Sequence, residues 1–112
     1  MNFRRTFTAA LLATSLALVS GCDSSEERAE KFYQSGLEYL QAGDVDRALI
    51  EFRNVFKLNG RHREARRAYA HAEQDRGNLR EAYGQYLRLA EQYPDDADAL
   101  RNLASIAVQT AN

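Results

Sequence analysis

The chain has 112 residues, enough for one ordinary domain and too few for a multidomain enzyme. Its 15 Lys and Arg against 16 Asp and Glu leave a formal net charge of -1, so no global basic field exists to hold nucleic acid, and 45% hydrophobic with 28% charged residues exclude a polytopic membrane protein. One Cys rules out an internal disulfide, and a single Pro, six Gly and no Trp in a chain rich in Ala, Leu, Glu, Arg and Gln predict an all-α fold.

The first segment, MNFRRTFTAALLATSLALVSGC, places Arg4 and Arg5 before an apolar or small-residue run from about Phe7 to Val19 and closes on Ser20, Gly21 and Cys22. That order is a secretory signal peptide. The run is shorter than the ~18 residues needed to span a bilayer, which makes a permanent transmembrane helix the weaker reading. Val19-Ser20-Gly21-Cys22 resembles the lipobox of bacterial lipoproteins, with Val19 where Leu is commoner. The resemblance implies a signal peptide over 1–21, removed before Cys22, and a diacylglycerol on the Cys22 thiol. Several acyl chains of the palmitate type would then anchor the protein to a bilayer. Asp23 resembles the acidic retention signal of enterobacterial lipoproteins, which implies the periplasmic face of the inner membrane. The alternative is ordinary cleavage after a small residue, leaving a free Cys22 thiol exposed in an oxidising compartment.

Residues 22–28 are the lipidated Cys and a polar tether, and Ser24 with Glu27 has the spacing of a capping box. Apolar residues then recur at helical spacing in five stripes. The first holds Ala29, Phe32, Tyr33, Gly36, Tyr39 and Leu40 and stops at Gly43-Asp44, a left-handed C-terminal residue followed by a cap for the next helix. The second, Val45 to Phe56, ends near Asn59-Gly60. The third, Ala65 to Ala72, closes on Gly77-Asn78, and the fourth, Leu79 to Tyr93, on Pro94-Asp95; Asn78 with Glu81 repeats the capping-box spacing. The fifth runs from Ala99 to Ala107 and ends at Ala111-Asn112.

These stripes repeat with a period of 34 residues. Gly43 returns as Gly77 and Ala111, Asp44 as Asn78 and Asn112, and Gly36 as Ala70 and Ala104. Ala48 returns as Ala82, Phe52 as Tyr86, and Val55 as Leu89. The positions resemble the tetratricopeptide repeat (TPR), in which a small residue on helix A faces an Ala on helix B and an aromatic of helix B fills the gap. The resemblance implies about 2.5 antiparallel helix-turn-helix repeats forming a short α-solenoid over 29–112: repeat 1 at 29–62, repeat 2 at 63–96, and helix A of repeat 3 at 97–112. Its packing residues are Gly36, Ala48, Phe52, Ala70, Ala82, Tyr86 and Ala104. Repeat 2 departs from the pattern at Arg66 and Glu73, positions usually apolar, and Gly60 replaces the usual Pro. A generic Ala-rich helical bundle is the alternative.

By the same resemblance, the concave groove that binds protein segments is lined by Tyr33, Leu37 and Leu40, then Arg67, His71 and Gln74, then Arg101, Ser105 and Val108. Stacked Arg67 and Arg101 could clamp an acidic side chain or a C-terminal carboxylate. The Lys and Asn pattern of the chaperone-binding carboxylate clamp is not reproduced, so the partner's identity does not carry over.

No motif points to chemistry or to a cofactor. His62 and His71, nine apart, lack the spacing of a metal site, and the sequence has neither a glycine-rich phosphate loop nor a G-x-S-x-G turn. Glu26-Glu27, Glu91 and Asp95-Asp96-Asp98 read as solvated helix starts. The basic run Arg61, His62, Arg63, Arg66 and Arg67 reads as the exposed entry to a helix, or else as a contact for acidic partners or anionic headgroups. The expected function is a non-catalytic protein-protein interaction scaffold anchored by lipid at the cell envelope; the alternative is an accessory docking subunit of a periplasmic envelope-remodelling, exopolysaccharide or protein-sorting enzyme system. The partners expected are proteins and, through Cys22, the bilayer. Because the phase places an A-to-B turn at Ala111-Asn112, the last helix should expose Leu103 and Ile106, closed by further repeats or by self-association.

Overall fold

The computed structural model describes residues 24–111, so Cys22 and Asp23, with the signal and sorting readings they carry, lie outside the described residues. Five helices follow one another: α1 (Ser25–Gln41), α2 (Val45–Leu58), α3 (Arg63–Asp75), α4 (Leu79–Gln92) and α5 (Ala97–Thr110). No strand occurs among the described residues. Each helix packs on the next, so that α1 with α2 and α3 with α4 form hairpins and α5 lies on α4.

Both hairpin turns share one device. Gly43 and Gly77 take φ of 77° and 82°, the left-handed region that costs glycine least. In the first turn the Asp44 N–H reaches the Tyr39 carbonyl at 2.9 Å and the Gly43 N–H the Leu40 carbonyl at 3.1 Å, the paired bonds of a Schellman ending. The second turn repeats them from Asn78 to Glu73 at 2.8 Å and from Gly77 to Gln74 at 3.0 Å. Helix starts are capped by side chains. Ser24 Oγ accepts the Glu27 N–H, Asp44 Oδ1 the Arg47 N–H and Asp96 Oδ1 the Ala99 N–H, at 3.2, 3.2 and 3.0 Å. At α3 the cap is His62, whose Nδ1 accepts the Ala65 N–H at 3.1 Å. Asn78, expected to cap α4, makes no side-chain cap bond. Its amide instead donates to Glu73 Oε2 at 2.6 Å, because a carboxylate only 2% exposed loses more without a partner than a helix start open to water.

The core forms two clusters, each built on one hairpin and closed by the helix that follows it. The first gathers Ala29, Ala48, Leu49, Phe52, Val55, Ala65, Tyr69 and Ala72. Gly36 is essential to it: a Cβ there would fall 2.4 Å from Phe52 Cε1, so only a bare backbone admits the ring. The second gathers Ala70, Ala82, Tyr86, Leu89, Ala99 and Ile106. Ile106 is thus 2% exposed and Leu103 half-buried, against the expectation that both would be open. Ala99, Leu103 and Ile106 share the stripe of α5 that lies on α4; the adjoining stripe, with Leu100 at 50% exposure and Ala104 exposed, is the uncovered one.

Arg66 and Glu73 are buried at their apolar positions and both find partners, although Arg66 Nε is left without an acceptor. Arg66 donates to Gln85 Oε1 at 2.6 Å and to the Gly60 carbonyl at 3.0 Å, and its guanidinium lies 4.1 Å from the centre of the Phe56 ring. Glu73 holds Asn78 and, at 3.7 Å, Arg76 Nε.

Candidate functional site

Helices α1, α3 and α5 carry the residues assigned to the groove. Between α1, the start of α2 and α3 lies a cleft of about 480 Å³, lined by Leu40, Val45, Ala68, His71, Ala72, Asp75 and Arg76. Beside it, α3 and α5 border a polar cleft of about 380 Å³ lined by His71, Gln74, Asp75, Asp98, Arg101 and Asn102. His71 and Asp75 belong to both, so the two clefts adjoin across α3.

The groove residues are held from behind. His71 Nε2 meets Asp98 Oδ2 at 2.9 Å, and its ring centre stands 5.7 Å from that of Tyr86. The Tyr86 hydroxyl donates to Gln74 Oε1 at 2.6 Å, and burial, with Asp98 and Asp75 adding to it, pushes its pKa far up, so it remains a neutral donor. Tyr33 is half-buried, its ring centre 4.9 Å from that of His62 and 6.2 Å from that of Phe52. Burial and the carboxylates of Glu64 and Glu30 raise its pKa as well. Leu37 packs on the first core, Ser105 is exposed and accepts from Gln109 Nε2 at 3.2 Å, and Val108 is 66% exposed.

Arg67 and Arg101 stand in different electrostatic settings. Arg67 Nη2 lies 2.6 Å from Asp96 Oδ2 and its Nε 3.6 Å from Asp98 Oδ2, so its charge is committed within the fold. Arg101 is exposed in the polar cleft, with no hydrogen bond or ion pair among the described residues. Any acid-holding capacity of this face therefore rests on Arg101.

Asp96, expected in a solvated run, is 1% exposed. It caps α5 and also accepts Arg63 Nε at 2.8 Å and Arg67 Nη2 at 2.6 Å. Burial pulls its pKa up, but the Ala99 N–H and the two guanidinium groups outweigh that and hold it below the ordinary carboxylate value. His62, 34 residues earlier, plays the same part: it caps α3 through Nδ1 while Nε2 meets Glu30 Oε2 at 3.1 Å, an arrangement that needs the neutral ring with its proton on Nε2. Each of these caps thus ties its helix to the start of the preceding A helix. The basic run is largely consumed in this way, since Arg66 is buried, Arg63 and Arg67 hold Asp96, and Arg61 donates to the Gln92 carbonyl at 3.1 Å. It is an internal joint, not an open basic patch. The signal in the sequence was the 34-residue step from His62 to Asp96, with Arg63 and Arg67 one turn apart facing it.

The family model described as "Tetratricopeptide repeat" matches residues 63–106, from the start of α3 into α5. No curated protein matches the chain. Among solved structures, the first TPR domain of Spaghetti (RPAP3), bound to the HSP90 peptide SRMEEVD, is similar over 82% of this chain and 100% of its own, with a TM-score of 0.55 and 17% identity. At that identity the likeness carries the fold and nothing finer. With its two Schellman-ended hairpins, its 34-residue beat and the match over α3 to α5, the described chain is a TPR-type helical-hairpin solenoid.

Proposed function

We propose that this chain is a non-catalytic interaction scaffold that takes an extended segment of a partner protein across the α1/α3/α5 face. The observation that carries the reading is the pair of adjoining clefts: an apolar one floored by Leu40, Val45, Ala68 and Ala72, and a polar one carrying Arg101, Gln74 and Asn102. Apolar side chains of a bound segment would enter the first, and its backbone or acidic groups would meet the second. The similar TPR domain, solved with a peptide bound, supports the class of ligand. The lipid anchor at Cys22, the periplasmic face of the inner membrane and the role of Asp23 belong to the same proposal and rest on the lipobox resemblance.

Affinity purification of the full-length protein from detergent-solubilised envelopes, compared with Ala68→Glu and Arg101→Ala, tests the groove. Both substitutions should release the same partner while leaving helicity unchanged; retention by both variants refutes the groove. A captured envelope enzyme would favour the docking-subunit alternative, a non-enzymatic partner the plain scaffold. Labelled palmitate should enter the wild type and not Cys22→Ser, and label in the variant would rule the anchor out.

A further inference from the structure

The rim of the apolar cleft carries His71, Asp75 and Arg76, and two of these side chains are already engaged. His71 Nε2 meets Asp98, while Arg76 holds Asp46 Oδ1 at 2.9 Å through Nη1 and Glu73 Oε2 at 3.7 Å through Nε. Asp75 is exposed, and its carboxylate makes no hydrogen bond or ion pair among the described residues. It also borders the polar cleft, where Arg101 is the other charge without a partner. The Asp75 and Asp98 carboxylates act together on the Tyr86 hydroxyl, but His71 and Arg67 answer Asp98 alone.

The fold does not ask for an acid at this place. Asp75 is the last residue of α3, a helix with no basic residue in its last turn, so its carboxylate stands at the negative end of the helix dipole and works against it. One repeat earlier the matching residue is Gln41, the last of α1, and one repeat later it is Gln109, in the last turn of α5. Both are neutral. The unpaired acid of α3 thus costs stability, and it stands on the wall common to the two clefts, where it fixes a negative charge beside an apolar floor.

We infer that the groove selects a partner segment in which an apolar side chain and a Lys or Arg stand next to each other or one residue apart. The apolar group seats on Leu40, Val45, Ala68 and Ala72, and the cation meets Asp75. This rests on the groove reading above and deepens it by naming the charge of the ligand. Residues two apart in an extended segment point the same way about 7 Å apart, within reach of a Lys or Arg stem bridging floor and rim. Arg101, across the polar cleft, repels the cation and keeps it on the α3 side.

The probe is a phage-displayed random heptapeptide library panned on immobilised full-length protein in detergent, with clones that also bind Ala68→Glu discarded. The remaining clones should be enriched in Lys or Arg beside, or one residue from, an apolar residue. A synthetic peptide of the enriched sequence, followed by fluorescence anisotropy, should bind Asp75→Asn roughly fivefold or more weakly and with less dependence on salt. Glu91→Gln, which removes an exposed charge from α4, should bind it as the wild type does. Without peptide, Asp75→Asn should melt about 1–3 °C above the wild type, because the charge opposing the dipole is gone. Groove-dependent peptides lacking the basic residue, or equal binding to wild type and Asp75→Asn, overturn the inference and leave the groove reading standing. A lower melting temperature for Asp75→Asn also counts against it, since the acid would then serve the fold. Recovery of no clone that Ala68→Glu rejects overturns the groove reading, and this inference with it.

Discussion

The hairpins α1/α2 and α3/α4 occupy the same unit of a 34-residue repeat but are filled with different chemistry. In the first, the bare Gly36 backbone admits the Phe52 ring, and the flanking positions hold Phe32 and Tyr39. In the second, Ala70 and Tyr86 occupy the places of the small residue and the ring, and the flanks hold Arg66 and Glu73, both buried. The shared elements are the small residue, the ring, the buried Ala and the left-handed turn glycine. Hairpin geometry is therefore set by close approach at one point, and the flanks can be apolar or charged provided that most of their buried polar atoms find partners.

The strongest way to break the comparison is to remove the rings. Phe52→Ala leaves a void over Gly36 and should cost about 3–5 kcal/mol, read as a lower urea midpoint. Tyr86→Phe keeps the ring and removes only its bond to Gln74, so about 1 kcal/mol is expected. A similar loss in both variants would mean that the two rings do not play corresponding roles.

The joints between repeats come next. Asp96→Ala removes the α5 cap and the partner of Arg63 and Arg67 together, and should cost about 2–3 kcal/mol in chemical denaturation; Asp96→Asn, which still caps, should cost about half of that. The Asp96 pKa is lowered in the folded protein, so its contribution is complete above the unfolded carboxylate value of ~3.9 and is lost as pH falls through and below that value. The gap between wild type and Asp96→Asn should accordingly be widest near pH 7 and narrow toward pH 3. A gap independent of pH would show that the ion pairs contribute nothing. Gly43→Ala and Gly77→Ala test the turns. Nothing lies within 4 Å of a Cβ at either position, so only the backbone penalty of about 1 kcal/mol remains, and the two melting temperatures should fall by similar amounts.

The helices, their turn glycines and the small-plus-aromatic pairs were legible in the sequence because each follows from local periodicity or from a backbone angle that only glycine takes at low cost. Of the groove residues, Leu40, His71, Gln74 and Arg101 line the two clefts. Asp96 was legible only through the 34-residue step from His62: its burial depends on Arg63 and Arg67, 33 and 29 residues away, and within its own run it looks like any of three nearby carboxylates. Asn78 misled for a related reason, since its spacing from Glu81 fits a cap while a buried carboxylate five residues back takes its amide. Ile106 and Leu100 are both apolar on one helix, and which of them is covered depends on the rotation of α5 against α4.

Arg66 gives the smallest and sharpest test. Its head group donates to Gln85 and Gly60, but its Nε is buried without an acceptor, and burial, aided by Arg88, lowers its pKa. Desolvating the guanidinium therefore offsets much of what its bonds contribute. Met has similar length, packs against the Phe56 ring and leaves the Gly60 carbonyl with its bond from Gln92 Nε2 at 2.9 Å. Arg66→Met should therefore shift the unfolding free energy by less than about 1 kcal/mol in either direction, whereas Arg66→Ala, which also loses the stem, should cost about 2 kcal/mol. If Arg66→Met were as damaging as Arg66→Ala, the second hairpin would depend on its charged flank, and the two hairpins would be held by different forces. If it is neutral, the charge is tolerated within a geometry that the small residue and the ring already set.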